Sequence, residues 1–169
     1  WLASPVPGWE GLFQVRYWDP DWLAILYGSP DSWVDQVIGS GFDGVVLDPA
    51  GAWTVFAEQG WTTARQDMVD LIDQVARYAR AGAGGPDFGV FAWNDGDGLV
   101  NDPRFLKTVT GIVQEGTWFG DEVPGTATSP ERTETLEASG RLLRMVGAMV
   151  LNLDDTDRPQ LGEVVRDEV

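Results

Sequence analysis

Cysteine and histidine are both absent from the 169 residues. Without cysteine there is no disulfide framework and no thiol chemistry, and thiol usage says nothing about the redox compartment. Without histidine the commonest metal ligand is gone, and so is the usual base for a serine or cysteine nucleophile. The acid–base groups that remain are aspartate and glutamate. Lysine is nearly absent too: Lys107 is the only one, and the other basic residues are arginines. No apolar stretch approaches the roughly 18 residues needed to cross a bilayer. The longest, around MVGAMVLNL, fits a buried strand. No asparagine is followed two residues later by serine or threonine, so there is no glycosylation acceptor. Because the chain starts at Trp1 and not at Met, the lack of a signal peptide carries no information about export.

What is present is ordinary for a folded domain: 43% hydrophobic and 22% charged residues, enough for one domain with a core. The charge is one-sided, with 27 acidic against 11 basic residues and a net charge of −16. Such a surface repels nucleic acid and anionic membranes and attracts cations. One reading is a cationic substrate such as an amino sugar polymer. The simpler reading is solubility or adaptation to high salt.

Five short apolar runs read as strands: Phe13 to Trp18, Gly44 to Asp48, Phe88 to Asn94, Gly111 to Glu115 and Ala148 to Asp154. Helical periodicity lies between them. Pro30 to Ser40 carries Trp33, Val34, Val37 and Ile38 on one side, with Trp33 expected in the core. Ala64 to Ala81 places Met68, Leu71, Ile72, Val75, Ala76 and Ala79 on one face and stops at the glycines of AGAGGP. The segment TSPERTETLEASGRLLRMV opens with Thr128, Pro130 and Glu131, spaced as a capping box. Strands alternating with helices imply parallel βαβ units. The missing glycine-rich dinucleotide fingerprint favours a (β/α) barrel over a Rossmann sheet. The run NDGDG (Asn94 to Gly98) lacks the spacing of a calcium loop, so no metal and no cofactor is implied. The acidic end, LDDTDRPQLGEVVRDEV, reads as a solvated connection and a short helix.

Two of these runs end in an acid: Asp48 after Val45, Val46 and Leu47, and Glu115 after Ile112 and Val113. Active sites of α/β folds are built where parallel strands stop. A carboxylate pair there is the minimum equipment for glycoside hydrolysis, about 5–5.5 Å apart in retaining enzymes and about 6.5–9.5 Å apart in inverting ones. A strand-end acid can also cap a helix or hold an arginine, and Arg16 is a candidate partner for Glu115.

Taken in order, YWDPDW, GSPDSWVDQVIGSGFDGVVLD, DMVDLIDQVARYAR, PDFGVFAWN and GIVQEGTWFG resemble the endo-α-1,4-polygalactosaminidase-like extracellular proteins of glycoside hydrolase family 114. The likeness runs from YWDPDW to about Asp154. It implies a TIM-type (β/α) barrel and cleavage of an α-1,4-linked galactosamine polysaccharide. This chain, residues 1–169, would form a single domain with about five of the usual eight βα units, lacking the first two strands and the last. It also implies a secreted or cell-surface location and Asp48 and Glu115 as the acidic pair. Arg16, Tyr17, Trp18, Asp19 and Trp22 match the block after the family's third strand, Asn94 the Asn of a Gln-Asn pair, and Asp154 an acid after the seventh strand. Trp93 stands where Gln is usual, Gly51 where a second acid is usual and Asp155 where an aromatic is common.

Asp48 is expected to act as nucleophile and Glu115 as acid/base, with burial near Trp118 raising the pKa of the acid. Trp18 and Trp118 are expected to line a cleft, and Trp93 and Gln114 join the substrate-binding candidates. Two alternatives stay open: a non-catalytic carbohydrate-binding relative, and a polysaccharide hydrolase of different sugar specificity.

Overall fold

A computed structural model describes residues 1–82, 84–94 and 98–156. In chain order the elements are β1 (Leu2–Pro5), β2 (Phe13–Val15), α1 (Pro20–Leu26), α2 (Trp33–Gly39), β3 (Gly44–Leu47), α3 (Trp53–Glu58), α4 (Ala64–Ala81), β4 (Gly89–Trp93), α5 (Pro103–Thr108), β5 (Gly111–Glu115), α6 (Pro130–Met145) and β6 (Met149–Leu153). The fold is mixed α/β, with a four-stranded parallel sheet in the order β3-β4-β5-β6, flanked by helices.

The four later strand predictions match sheet strands to within one residue at each end. The first does not belong to that sheet. Phe13 to Val15 pairs antiparallel with Leu2 to Pro5 in a separate two-stranded ribbon, and residues 16–18 leave strand geometry. The loop between them contains Pro7, Gly8 and Gly11, which fold the chain back on itself and make β1 the nearest free edge.

The register divides the parallel sheet into two faces. Val45, Leu47, Val90, Ala92, Ile112 and Val150 share one face and join the core with the helices. Helix α4 supplies most of the other side: Met68, Val69, Leu71, Ile72, Val75, Ala76 and Ala79 are all buried. Its Arg80 straps the lower ends of the strands, donating to Phe88 O at 3.1 Å and Thr108 O at 2.8 Å. The opposite face carries Val46, Phe91, Trp93, Val113, Met149, Leu151 and Leu153. Val113 is buried, yet Val46, Met149, Leu151 and Leu153 are 48%, 53%, 47% and 49% exposed. Parallel sheets normally bury both faces, and here one apolar face is bare. Gly111 opens β5 on this face, between Phe91 and Met149, where a Cβ would meet Met149 and the Phe91 ring (Cε1 at 2.9 Å).

Two local expectations change. The cap of α6 is Ser129, whose side chain accepts from Arg132 N–H, while the Thr128 hydroxyl donates to Gly116 O at 2.7 Å. Proline at the first helical turn fixes the start one residue later than the Thr128 spacing suggested. Trp33 is 56% exposed, resting edge-on against Trp22 at 5.8 Å, because Val34 is the residue of α2 that turns inward. Helices α1, α3 and α5 are too short for a periodic signal to show them. Proline after an Asp cap nevertheless marks α1 (Asp19, Pro20) and α5 (Asp102, Pro103). Among the described residues no helix is long and apolar enough to cross a membrane. The middle of the NDGDG run (residues 95–97), and most of the acidic end read as a connection and short helix (residues 157–169), lie outside the described residues.

Candidate active site

Each strand of the parallel sheet runs directly into a polar side chain at its C-terminal end: Asp48 after β3, Asn94 after β4, Glu115 closing β5 and Asp154 after β6. Alternation along the strands puts Asp48 with Val46, and Glu115 with Val113, on the bare face.

Asn94 is the hinge of this arrangement. Its backbone is left-handed, at φ 46°, a conformation that asparagine tolerates better than most residues. Its backbone N–H still donates to Val113 O at 2.9 Å, so the strand end is held while the side chain turns toward β5. There the amide grips Glu115 twice. The Glu115 backbone N–H donates to Asn94 Oδ1 at 3.0 Å, and Asn94 Nδ2 donates to Glu115 Oε2 at 3.0 Å. A backbone N–H can only donate, so the first bond fixes which way the amide points. Glu115 Oε2 is therefore held as an acceptor.

Asp48 is exposed as a residue, yet its carboxyl is partly desolvated. Its pKa is raised above the usual aspartate value, first by this burial and then by the negative charge of Glu115. Asp48 thus lies near enough to feel the charge of Glu115. The raised group is Asp48, and Trp118 is turned elsewhere: its Nε1 donates to Glu137 at 3.2 Å on the helix side of the sheet.

The loop that follows Glu115 is braced from β6 and α6. Asp154 Oδ1 accepts from the backbone N–H groups of Trp118 and Phe119, both at 2.7 Å. Thr117 donates to Asn152 Oδ1 at 2.9 Å, and Thr133 to Thr117 O at 2.8 Å. Gly116 makes the turn at φ 62°, where a Cβ would lie 2.5 Å from Asp121 Cα. Asp154 Oδ2 is buried without a hydrogen-bond partner among the described residues.

The remaining candidates fall into separate groups. Tyr17 is core: it is 2% exposed, donates to Ala64 O at 2.7 Å, and its pKa is raised by burial and by Asp67. Trp22 packs in an aromatic cluster with Trp1 and Trp33. Arg16, Trp18 and Asp19 line an open cleft of about 750 Å³ with Trp61, Phe56 and Gln59. Arg16 donates to Leu2 O at 3.2 Å, whereas the Glu115 carboxylate is held by Asn94. Gln114 and Trp118 line a cavity of about 370 Å³ beneath α6, with Glu137, Arg141 and Asn152. Gln114 is buried there and donates to Leu136 O at 3.1 Å, on the face opposite Glu115. Trp93 is half-buried on the bare face beside Val113.

Three residues escaped the sequence reading. Trp61 lies in no apolar period, Glu137 looked like an ordinary exposed helix residue, and Asn152 looked like the polar half of an alternating strand. Only the Asp154 motif hinted at a polar cluster at the end of β6. Among the described residues no group of three or more acids could hold a metal ion.

The architecture and the acids together define an α/β protein with a carboxylate pair at the C-terminal end of a parallel sheet. No family model matches the chain. It is similar to an uncharacterized protein of Deinococcus radiodurans, with 32% identity over 161 residues, covering 95% of this chain and 49% of that protein. An uncharacterized protein of Thermotoga maritima is 27% identical over 164 residues, covering 93% of this chain and 47% of its own. One from Methanocaldococcus jannaschii is 34% identical over 82 residues, which is 47% of this chain and 22% of that protein. The chain spans about half the length of the first two relatives.

Proposed function

We propose that the chain is the acid-bearing part of a glycoside hydrolase that cuts an α-1,4-linked galactosamine polymer with Asp48 and Glu115. The observation that carries this reading is the placement of two acids at strand ends on one sheet face, Glu115 near enough for its charge to raise Asp48 and held by Asn94. The choice of polymer rests on the ordered motifs shared with glycoside hydrolase family 114, and so does a secreted or cell-surface location. The net charge of −16 suits a polymer of protonated amino sugars.

In the proposed retaining cycle, one carboxylate of the pair attacks the anomeric carbon while the other, protonated, delivers its proton to the departing glycosidic oxygen. The carbon–oxygen bond to the leaving sugar breaks as the bond to the attacking carboxylate forms. The acid, now ionised, then takes a proton from water, and the resulting hydroxide displaces the attacking carboxylate from the anomeric carbon and regenerates the pair. The hydrogen bond from Asn94 to Glu115 Oε2 keeps that side chain in place.

We further propose that the four strands are part of a TIM-type (β/α) barrel. The bare apolar face supports this, since parallel sheets are covered on both sides, as does the match to about half of two longer proteins. The test is the release of reducing ends from polygalactosamine. Asp48→Asn and Glu115→Gln are each expected to lower the rate by at least about a thousandfold. Binding without new reducing ends would instead favour a carbohydrate-binding relative, and full activity in either variant would refute the reading.

A further inference from the structure

We propose that the cleft between the β1–β2 ribbon and α3 is a sugar-binding subsite, in which a pyranose ring of an amino sugar polymer stacks on the indole of Trp61. The inference rests on the carbohydrate reading above but uses neither of its acids, because the cleft is lined by other residues. Its volume of about 750 Å³ lies within the range of small-ligand clefts.

Trp61 is a built platform. It stacks on Trp18 with ring centroids 4.9 Å apart and planes inclined by 10°. Trp18 is in turn wedged edge-on by Phe56 at 4.9 Å and 82°. Trp61 Nε1 donates to Asp67 Oδ2 at 2.7 Å, which fixes the rotation of the indole. The ring is therefore immobilised from one side and along its edge, yet the residue remains 45% exposed. A large aromatic held rigid and open loses little conformational freedom when a ligand arrives. The apolar C–H face of a pyranose matches such a surface.

The rim supplies what the hydroxyls need. Arg16 lines the cleft and spends one of its five donors on Leu2 O. Gln59 lines the cleft as well, and its amide bond to Gln14 Oε1 is long at 3.5 Å. The overall charge of −16 favours a protonated amino sugar over a neutral one.

The experiment is calorimetric titration of the whole chain carrying Glu115→Gln, which prevents turnover, with an α-1,4-galactosamine oligomer. Adding Trp61→Ala is expected to weaken binding by about tenfold or more. Trp61→Phe keeps an aromatic face and is expected to bind nearly as well as the parent. Trp61→Leu keeps apolar packing on Trp18 without that face and is expected to bind like the alanine variant, so the comparison survives if Trp61→Ala fails to fold. Equal binding by the Leu and Phe variants would overturn the subsite while leaving the sugar reading intact. No binding by the parent would end both.

Discussion

The grip of Asn94 on Glu115 can be tested by reversing one of its two bonds. Asn94→Asp is nearly isosteric, keeps tolerance for the left-handed backbone and keeps the acceptor for the Glu115 N–H. It replaces the donor facing Glu115 Oε2, at 3.0 Å, with a carboxylate oxygen. Two unit charges about 3 Å apart repel by about 1.4 kcal/mol at the dielectric of water, the appropriate limit for an exposed glutamate. Losing the hydrogen bond adds about 1 kcal/mol. The variant should therefore be about 2 kcal/mol less stable at neutral pH, read from urea unfolding midpoints. The sign follows from linkage. Repulsion raises the folded-state pKa of the new pair above its unfolded value, so stability is retained at low pH and lost as pH rises through the raised pKa. Near about pH 4 a shared proton converts the clash into a hydrogen bond, and the deficit should shrink below about 1 kcal/mol. An equal deficit at both pH values, or none at neutrality, would refute this account of the clamp.

Asp48 is itself raised by burial and by Glu115, so its ionisation opposes folding as pH rises through its folded pKa. Asp48→Asn should raise the thermal midpoint at neutral pH, with the gain vanishing below the ordinary aspartate range; a scan showing no gain at neutrality would contradict this. Asp154→Ala removes the acceptor shared by the Trp118 and Phe119 N–H groups. Those two amides should then exchange with solvent at least about tenfold faster, while amides of α4 keep their protection. Gly111→Ala would press a Cβ against Met149 and the Phe91 ring. A loss of about 1–3 kcal/mol is expected in chemical denaturation, and a neutral result would mean the β5–β6 pairing is looser than described.

The parts legible in advance were those carried by local pattern. Helix α4 matched residue for residue because its apolar spacing runs unbroken for 18 residues and ends at Gly82. Strands β3 to β6 were legible because each is a short apolar run closed by Gly or a polar residue. Phe13 to Val15 failed as a parallel strand since the same residues suit any sheet, and pairing partner is a matter of geometry. Tyr17 failed as a ligand-facing residue for a similar reason: whether an aromatic beside an aspartate points out or in depends on α4, distant in the chain. Trp61 carried no pattern at all, and only its stack with Trp18 gives it a role to test.

Composition alone excluded cysteine and histidine chemistry and left carboxylates as the reactive groups, because a missing side chain cannot be restored by folding. Strand-end position likewise singled out Asp48 and Glu115. The union of those acids on one face, the turn of Asn94 toward Glu115 and the departure of Trp118 to the helix side were settled in three dimensions. Each depends on register between strands more than 15 residues apart in sequence, and no local preference encodes that.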